Sequence, residues 1–533
     1  MRPSTPALCA AASTLAACTV SAWPVARHTA PPSFDEAWYL EVSYRFWNAL
    51  SRGAPLDFAR EWAGALRFKA PLISLIPLPL YALRGPSFEA ARLANLPALA
   101  LLAVSLYGLG RRFFSPAAGA LAATSALLMP MSYALSRLYF VECWLMALSA
   151  AFLWRWVESE TLERASEAPR LGALAGLGLL TKVLFPLPLL GPVALTLYER
   201  RAGPRELERP VKALAVVAAA LALTWYGPNL IYVAGYTVRA SAGDIAGHYA
   251  AGSAFSPRLL ARFFDAMARD GLSYPLTLAL LASLAALGRR RVLRESGLRF
   301  ALAWLAFPLL AASLGRSKEL RFAAAGLPGA ALALAGALDL LTRGKPSRPW
   351  LFALVLVWPV DLWARHTFGT SVLPLVHVGP WALSAPRTVY GGPPSTAGDR
   401  NLPWLASEVF KHIDGPAVVV LGAEHGTLNA NLLAAEAALR RYPHTYVHYG
   451  HMADRVEATV ARLSEKDATH ILFVSGLPAE EQVPGVPALD AALKALIASG
   501  RLPFRPQARL DWESGGLTAE LYERTGPIRM TGR

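Results

Sequence analysis

Charged residues are scarce in this sequence of 533 residues, at 17%, against about 25% in soluble globular domains. Hydrophobic residues make up 54%, and the mean hydropathy is positive at +0.35. The shortage is uneven, because up to about residue 390 long uncharged stretches alternate with short basic clusters, whereas the composition after residue 395 is that of an ordinary soluble domain. The sequence therefore predicts a membrane domain over residues 1–390 and a soluble α/β domain over 395–533.

Cysteine is also scarce, and the three cysteines lie in apolar segments, at Cys9, Cys18 and Cys143. Their placement excludes a disulfide framework and a metal site built on paired cysteines. The strand predicted to end before Gly422 is not followed by a G-x-G-x-x-G motif, so no nucleotide site is predicted there. Three histidines of the soluble domain lack a suitably spaced acidic or cysteine partner, so no metal site is predicted at His444, His448 and His451.

The net charge of +15 raises the question of nucleic-acid binding. The basic residues argue against it, because they occupy separate loops between apolar segments, as the positive-inside rule predicts for a polytopic membrane protein. The expected surroundings are therefore membrane lipids, and no nucleic-acid partner is expected. The basic clusters are Arg111-Arg112, residues 199–209, residues 289–294 and residues 343–348.

A transmembrane helix needs about 20 apolar residues, and nine segments meet that requirement as single spans. They are Ala7–Ala26, Leu93–Gly110, Phe113–Ser136, Leu138–Trp154, Ala213–Val233, Gly271–Gly288, Phe300–Gly315, Phe322–Leu338 and Pro349–Trp363. Leu171–Tyr198 is interpreted as a hairpin of two spans with Lys182 at its outer tip, and the short, proline-rich Pro71–Leu83 as an interfacial segment. This threading gives about eleven spans with every basic cluster in the cytoplasm, whereas the opposite pair of choices would place Arg111-Arg112 outside.

The first apolar run allows two interpretations. Arg2 followed by uncharged residues is typical of a signal peptide, and Leu15-Ala16-Ala17-Cys18 resembles a lipoprotein cleavage box. We favour an uncleaved first span, since polytopic enzymes seldom begin with a lipidated cysteine.

The threading places four loops on the outer face of the cell membrane, and almost every candidate chemical residue falls in them. These loops are residues 27–92, 137–142, 234–270 and 316–321. Residues 366–386 are interpreted as a linker, so the soluble domain is also expected outside; if that segment crossed the membrane, the domain would be cytoplasmic.

The soluble domain alternates β-like and helical runs, which predicts a small α/β unit with a parallel sheet. The predicted strands are Ala417–Leu421, Thr445–Tyr449 and Ile471–Val474. The predicted helices are Thr427–Arg440, Ala453–Ser464 and Leu489–Ser499.

Asp35 and Glu36 follow the first predicted span. A carboxylate at the membrane surface can act as a general base toward an acceptor hydroxyl. The alternative is a solvated acidic pair at the start of an interfacial helix.

Cations provide the second group of candidates. Charges within spans are costly, so Arg137 and Glu142 are expected at an outer helix end, as functional groups or as a structural ion pair. Lys69 and Lys182 are candidates for phosphate contacts or for snorkelling lysines. Three cations crowd one outer turn, which suits a phosphate group or, alternatively, lipid headgroups: Arg316, Lys318 and Arg321.

In combination these segments resemble the GT-C glycosyltransferases, which use polyprenyl- or dolichyl-phosphate sugars and include protein O-mannosyltransferases and aminoarabinose transferases. Asp35-Glu36-x-x-Tyr39 resembles their Asp-Glu loop, and Lys69-x-Pro71-Leu72 their Lys-Pro-Pro-Leu segment. Arg137-x4-Glu142 resembles Arg-x4-Asp, and Gly176-Leu177-x3-Thr181-Lys182 resembles Gly-Leu-x3-Thr-Lys. Lys318-x2-Arg321-Phe322 with Pro328 resembles Lys-x2-Arg-Tyr-x3-Pro. The matches occur in family order and cover most of residues 7–345.

The resemblance implies an inverting transfer on the outer face of the inner membrane, from a polyprenyl-phosphate sugar to a lipid, glycan or protein acceptor. Asp35 would be the base, with Glu36 and Glu142 in support. Tyr39 and the cations would bind the donor, and no cofactor would be required. Three positions depart from the pattern, namely Ala70, Glu142 and Phe322, and the last two leave the substrate open.

Two other functions compete with this interpretation. A transporter or lipid flippase would have charged or broken-helix sites near the bilayer midplane, and often internal repeats. No clear repeat is present, and the charges lie on one face. A non-catalytic scaffold would leave the outer carboxylates and cations unexplained.

Overall fold

The structure is a computed structural model that describes most of the chain. The described residues are 4–200, 204–241, 243–248, 253, 255–370, 373, 377–379, 381–382, 390, 392, 394–395, 401–449, 455–477, 485–512 and 516–528. The chain forms two compact units. The first contains Met1–His28, Trp62–Pro77 and Glu89–Pro394, and the second contains Thr29–Glu61, Leu78–Phe88 and Ser395–Arg533.

Helices dominate the chain. In chain order they are α1 Thr5–Arg27, α2 Phe34–Ser51, α3 Pro55–Gly64, α4 Leu72–Leu75, α5 Leu78–Arg84, α6 Phe88–Leu93, α7 Leu96–Phe113, α8 Pro116–Leu127, α9 Pro130–Ser136, α10 Val141–Glu158, α11 Ala168–Thr181, α12 Leu187–Arg200, α13 Pro204–Ser241, α14 Asp244–His248, α15 Pro257–Ala266, α16 Tyr274–Arg294, α17 Ser296–Leu314, α18 Leu327–Thr342, α19 Arg348–Phe368, α20 Asn401–Lys411, α21 Ala430–Arg440, α22 Val456–Glu465 and α23 Val486–Ala498. Short 3-10 helices cover Ala165–Glu167 and Leu320–Gly326, and a π-helix covers Met267–Leu272.

The strands are shorter and fewer. They are β1 His377–Val378, β2 Trp381–Ala382, β3 Val418–Leu421, β4 Thr445–His448, β5 His470–Ser475, β6 Phe504–Trp512 and β7 Leu517–Arg524. The antiparallel pair of β1 and β2 falls in the predicted linker, whose other residues after 370 lie mostly outside the described ranges.

Small residues allow the helices of the first unit to approach closely. A Cβ atom on Gly110 of α7 would lie 2.5 Å from the Cα atom of Gly119 in α8, so neither backbone leaves room for a side chain there. Close approach through glycine and alanine is how helices associate in a bilayer, where apolar burial supplies no drive between them. The core of the unit is accordingly built from alanine and leucine.

Six helices of the described residues are long and apolar enough to cross a membrane, or eight if each of two bent pairs forms one span. Membrane association is thus confirmed, while the count of eleven stays a prediction. The hairpin predicted at 171–198 consists of the shorter α11 and α12, and Pro71–Leu83 contains only the short α4 and α5.

Two predicted single spans are bent. Phe113–Ser136 divides into α8 and α9, with a bend of 63° just before Pro130. A helix cannot run straight through Pro130, because proline lacks the backbone N–H and its ring clashes with the preceding turn. The predicted span Gly271–Gly288 begins at a second bend. There Pro257–Leu272, which ends in the π-helix, meets α16 at an angle of 103°. Ser273 has φ +83° at that corner, a conformation that non-glycine residues rarely adopt. Apolar length alone did not reveal either break.

A buried carboxylate joins three helix ends in the first unit. Asp339 of α18 is fully buried, and its two oxygens accept from Ser115 Oγ at 2.6 Å and Arg343 Nη2 at 2.9 Å. Arg348 at the start of α19 forms a third charged contact with it. Because Ser115 also caps α8, the carboxylate links α8, α18 and α19.

Replacing Asp339 with alanine removes the buried acceptor of two arginines, of which Arg343 is 56% exposed and Arg348 is 24% exposed. Because the arginines can still reach water, the loss of these charged hydrogen bonds is expected to cost about 1–3 kcal/mol, so the Asp339→Ala protein should show a lower apparent Tm in detergent. Glu208→Ala, which breaks the exposed pair with Lys212 in α13, is the control and should change little. Equal melting temperatures for the two variants would contradict the role of Asp339.

The second unit contains a mixed five-stranded sheet in the order β4-β3-β5-β7-β6. Strands β3, β4 and β5 are parallel, as predicted, and each lies within one residue of its predicted bounds at either end. Helices α21, α22 and α23 overlap the predicted ones, although residues 453–454 lie outside the described ranges.

The sheet also contains two strands that were not predicted, since β7 pairs antiparallel with β5 and β6. Strand β6 contains several charged residues and Pro506, which is typical of an exposed edge strand with an irregular register. Because of those residues, β6 lacks the apolar pattern from which a strand is predicted.

Candidate active site

A buried ion pair lies at the centre of the candidate site in the first unit. Lys182 Nζ donates to Glu142 Oε1 at 2.7 Å, and the Glu142 side chain is only 2% exposed. Glu142 is in the first turn of α10, and Lys182 caps the C-terminus of α11. Each charge is therefore at the helix end whose dipole favours it. The alternative of an Arg137–Glu142 ion pair does not hold, since Glu142 pairs with Lys182.

Two aromatic rings and a second cation extend this pair. The Lys182 ammonium lies 4.8 Å from the ring centre of Phe322, and the Arg321 guanidinium lies 4.7 Å from that of Phe140. Cations over aromatic faces are stabilised electrostatically without losing all their hydrogen-bonding directions. Arg321 also acts electrostatically on Glu142. The second Glu142 oxygen, Oε2, is buried without a hydrogen-bond partner in the described residues.

The turn at residues 316–321 carries Arg321 and is called the outer turn after its predicted orientation. It is held from two sides. Glu319 Oε1 lies 3.8 Å from Arg321 Nε and also accepts from the Tyr390 hydroxyl. The Arg321 backbone N–H in turn donates to the Tyr390 oxygen at 3.4 Å. Tyr390 thereby connects the acid to the backbone of the arginine. Sequence reasoning missed Tyr390, which falls outside every motif.

The other two cations of this turn differ in their surroundings. Lys318 Nζ donates to the carbonyl oxygen of Gly315 at 2.9 Å and to that of Ser313, at the C-terminal end of α17. Burial lowers the pKa of Lys318. Arg316 is exposed. Among the three predicted phosphate ligands of the turn, Arg321 is thus the one next to the Glu142–Lys182 pair.

Arg137 occupies a polar cluster with residues of α9 and α19. Its Nη2 donates to Thr367 Oγ1 at 2.5 Å, and its guanidinium lies 5.1 Å from the ring centre of Tyr133. The Tyr133 hydroxyl in turn forms a hydrogen bond with His366 Nδ1. Arg137 is 8% exposed, and its Nε and Nη1 atoms have no hydrogen-bond partner in the described residues. It is therefore a buried cation with donors available to an anion.

Lys69 lies in a segment anchored on the long helix α13. The Trp225 ring nitrogen donates to the Ala65 carbonyl oxygen at 2.9 Å, and Asn229 donates to that of Ala63 at 2.7 Å. On the other side of Lys69, the Tyr139 hydroxyl donates to the Ile73 carbonyl oxygen at 2.7 Å. The backbone around Lys69 is thus fixed on both sides, and its side chain is half-buried.

Asp35, Glu36 and Tyr39 belong to the second unit, in the first turns of α2. Glu36 closes a capping box, in which its Oε2 accepts from the Ser33 N–H at 2.9 Å while the Ser33 side chain accepts from the helix. Asp35 is half-buried beside this cap. Tyr39 is buried one turn further along.

His444 and His448 of the C-terminal region pack against other side chains or contact an acid. His444 stacks on Phe410 and Tyr442, and burial lowers its pKa to about 4. His448 Nδ1 lies 3.4 Å from Glu424 Oε1. His451 lies outside the described residues. Within the described ranges, no three metal-ligating side chains converge.

Part of the chain matches the model of a known protein family. The model of the dolichyl-phosphate-mannose-protein mannosyltransferase family matches residues 69–232, which include Lys69, Arg137, Glu142 and Lys182. A search of curated protein sequences finds no match.

Solved structures share the fold over nearly the whole chain. ArnT from Cupriavidus metallidurans bound to undecaprenyl phosphate aligns with a TM-score of 0.60 and 16% identity, over 96% of this chain and 97% of that chain. Its apo state aligns with a TM-score of 0.58 at the same identity and coverage. The oligosaccharyltransferase AglB from Archaeoglobus fulgidus, in complex with an inhibitory peptide and a dolichol-phosphate, aligns with 0.50 and 12% identity, over 86% of this chain and 69% of that chain.

The resemblance predicted from the motifs is confirmed. The chain has the fold of the GT-C glycosyltransferases, and residues 69–232 match the mannosyltransferase family model. The helical membrane fold with a small C-terminal sheet is confirmed with it. The structural matches share the fold at low identity. The sugar, the acceptor and the roles of individual residues must therefore be inferred from the site of this chain itself.

The Glu142–Lys182 pair allows a test that separates stability from activity. Glu142→Gln and Lys182→Met each leave one buried charge unpaired and should each cost about 3–5 kcal/mol, seen as a lower apparent Tm. The double variant removes both charges and should regain most of that stability. If Lys182 binds substrate, the double variant should nevertheless lack transfer activity. A stable double variant with normal activity would reduce the pair to a structural element.

Tyr390 allows a milder test of the outer turn. Tyr390→Phe keeps the ring but removes the hydroxyl that joins Glu319 to the Arg321 backbone, so the arginine should be less well ordered. If Arg321 binds the phosphate of a lipid-linked donor, undecaprenyl phosphate should bind more weakly by about 1 kcal/mol, the typical contribution of a hydrogen bond, with little change in Tm. Tyr198→Phe, which changes an exposed tyrosine of α12, is the matched control. Equal affinity in the two variants would contradict the role of Tyr390.

Proposed function

We propose that this GT-C chain transfers a sugar from a polyprenyl-phosphate donor to an acceptor hydroxyl on the extracytoplasmic face of the cell membrane, with inversion at the anomeric carbon. The observation that carries the proposal is the cluster of Lys182 and Arg321 around the buried Glu142. Two cations held by a carboxylate and two aromatic rings form a preorganised site for the phosphate that leaves.

The charge change of the reaction matches this cluster. A polyprenyl-phosphate sugar is a phosphodiester with one negative charge, and transfer releases a monoester that gains a second charge. The bond between the anomeric carbon and the phosphate oxygen breaks, and its electron pair stays on that oxygen. Lys182 and Arg321 would stabilise this developing charge, Arg321 through a bidentate contact. Glu142 would orient Lys182 through their hydrogen bond.

Asp35 is the proposed general base. The acceptor oxygen attacks the anomeric carbon from the side opposite the phosphate, which inverts the configuration, while Asp35 takes the acceptor proton. Its place in the first turn of α2 supports the assignment, because the helix dipole stabilises negative charge at that end. Glu36 is a positioning residue in this scheme, because its carboxylate closes the cap that fixes the start of the helix.

The remaining predicted ligands receive distinct roles. Arg137, a buried cation with free donors, and Lys69, on a fixed backbone, would contact the donor phosphate or sugar. Lys318 would hold the outer turn through the carbonyl groups at the end of α17. Arg316 is exposed and would attract the anionic donor to the turn. Tyr39 stays a proposed substrate contact, although it is buried.

Both partners are described by their chemistry. The relatives named above were solved with undecaprenyl phosphate or dolichol-phosphate, which supports a lipid-phosphate donor here. The acceptor is a hydroxyl group of a lipid, glycan or protein. The distribution of basic loops supports an extracytoplasmic site.

Substitution of Asp35 tests the proposal. Asp35→Asn keeps the size of the side chain and the helix start but removes the base, so we expect transfer to fall by about 10²–10⁴-fold while undecaprenyl phosphate still binds. The product can be followed by mass spectrometry of lipid-linked sugars and glycans in a deletion strain complemented with each variant. Asp57→Asn, at an exposed acid of α3, is the control. A folded Asp35→Asn protein with full transfer activity would refute the assignment of the base.

A further inference from the structure

The helix that carries Asp35 is built into the second unit together with the C-terminal domain. Helix α2 packs along α21, which is rich in alanine and leucine on its buried face. The soluble domain thus touches the helix of the proposed base directly, although about 390 residues separate Asn48 of α2 from Ala438 of α21.

Hydrogen bonds fix α2 to α21 at both of its ends. At the start of α2, Asn431 Nδ2 donates to the Phe34 carbonyl oxygen at 3.3 Å, one residue before Asp35. Near the end of α2, Asn48 Nδ2 donates to the Ala438 carbonyl oxygen at 2.7 Å. Two contacts this far apart along one helix restrict both its sliding and its rotation.

Arg441 reinforces the second contact. It caps the C-terminus of α21 in the left-handed conformation, with φ +61°. Its Nε donates to Asn48 Oδ1 at 3.1 Å, and its Nη2 donates to Ser51 Oγ at 3.1 Å. Both the nitrogen and the oxygen of the Asn48 amide therefore form hydrogen bonds, the nitrogen with α21 and the oxygen with its cap.

Tyr81 of α5 also contacts α2 within the same unit. The Ser43 hydroxyl donates to Tyr81 Oη at 3.2 Å, and the rings of Tyr44 and Trp47 lie 5.8 and 6.1 Å from the Tyr81 ring centre. These contacts further restrict the freedom of α2 to turn about its axis.

We propose that the C-terminal domain is a positioning element for the proposed base. Helix α21 sets the rotation of α2 about its own axis and the position of α2 along that axis. A helical side chain extends about 5–6 Å from the helix axis, so a rotation of about 10° displaces the Asp35 carboxylate by about 1 Å. A misplacement of that size can lower the rate about 10²-fold. This inference rests on the proposed function, since it concerns the placement of the same base.

The two asparagines provide the test. Alanine at both positions removes the docking contacts but favours helix formation in α2 and α21, so Asn48→Ala/Asn431→Ala should remain folded with a near-normal Tm. We expect its product yield in the complemented deletion strain to fall by about tenfold or more. Its affinity for undecaprenyl phosphate, measured on the purified full-length protein, should be unchanged. Arg52→Ala, at the exposed C-cap of α2, is the control with normal yield.

The outcomes separate the two proposals. Normal yield in the double variant, or parallel losses of yield, Tm and lipid affinity, would overturn the positioning role. The base itself is tested by Asp35→Asn, whose result does not depend on the asparagines, so an inactive Asp35→Asn beside a fully active Asn48→Ala/Asn431→Ala would reject only the present inference. If the double variant does not accumulate, Asn431→Ala alone carries the same test at the contact nearest Asp35.

Discussion

Glu142 and Lys182 form a charged contact inside a protein whose surroundings are apolar, and the candidate site is organised around it. Removing a carboxylate and an ammonium from water costs several kcal/mol for each ion, and close pairing offsets that cost only when the geometry is good. Here the contact is 2.7 Å, and the two charges lie at the ends of α10 and α11 where the helix dipoles favour them. Because either residue alone would be an uncompensated buried charge, the positions of the two helix ends depend on the pair.

The pair also sets the surroundings of the cations that face the proposed donor. Phe322 follows Arg321 in the chain and lies against Lys182, so the outer turn and the end of α11 share one aromatic surface. Glu319 and Tyr390 hold the turn from the other side. In this arrangement the cations are ordered before a phosphate arrives, and preorganised charge of this kind is often the largest contribution to catalysis. In the second unit Asp35 is also held in place before substrate binds, because its helix is capped by Glu36 and packed along α21.

The membrane fold and most residues of the candidate site were predictable from composition, charge and motifs. Contacts between distant parts of the chain and the helix bends were not, for physical reasons. Apolar runs and basic loops predicted the membrane fold, and the motifs predicted each residue of the cluster except Phe140, Glu319 and Tyr390. The pairing of Glu142 with Lys182 was hidden because the residues are 40 positions apart and Arg137 was the nearer cation in sequence. The bends after α8 and before α16 depend on backbone conformation, not on hydropathy. The packing of α2 along α21 was hidden because long-range contacts leave no trace in local composition.

The central claim is that Lys182 and Arg321 receive the phosphate of a lipid-linked donor. A structure of the full-length protein in lipid nanodiscs with undecaprenyl phosphate, determined by cryo-electron microscopy, tests it most directly. The account predicts phosphate density within hydrogen-bonding distance of Lys182 Nζ and the Arg321 guanidinium, with Glu142 still in contact with Lys182. Well-defined phosphate density elsewhere, with both cations engaged only by protein groups, would contradict it.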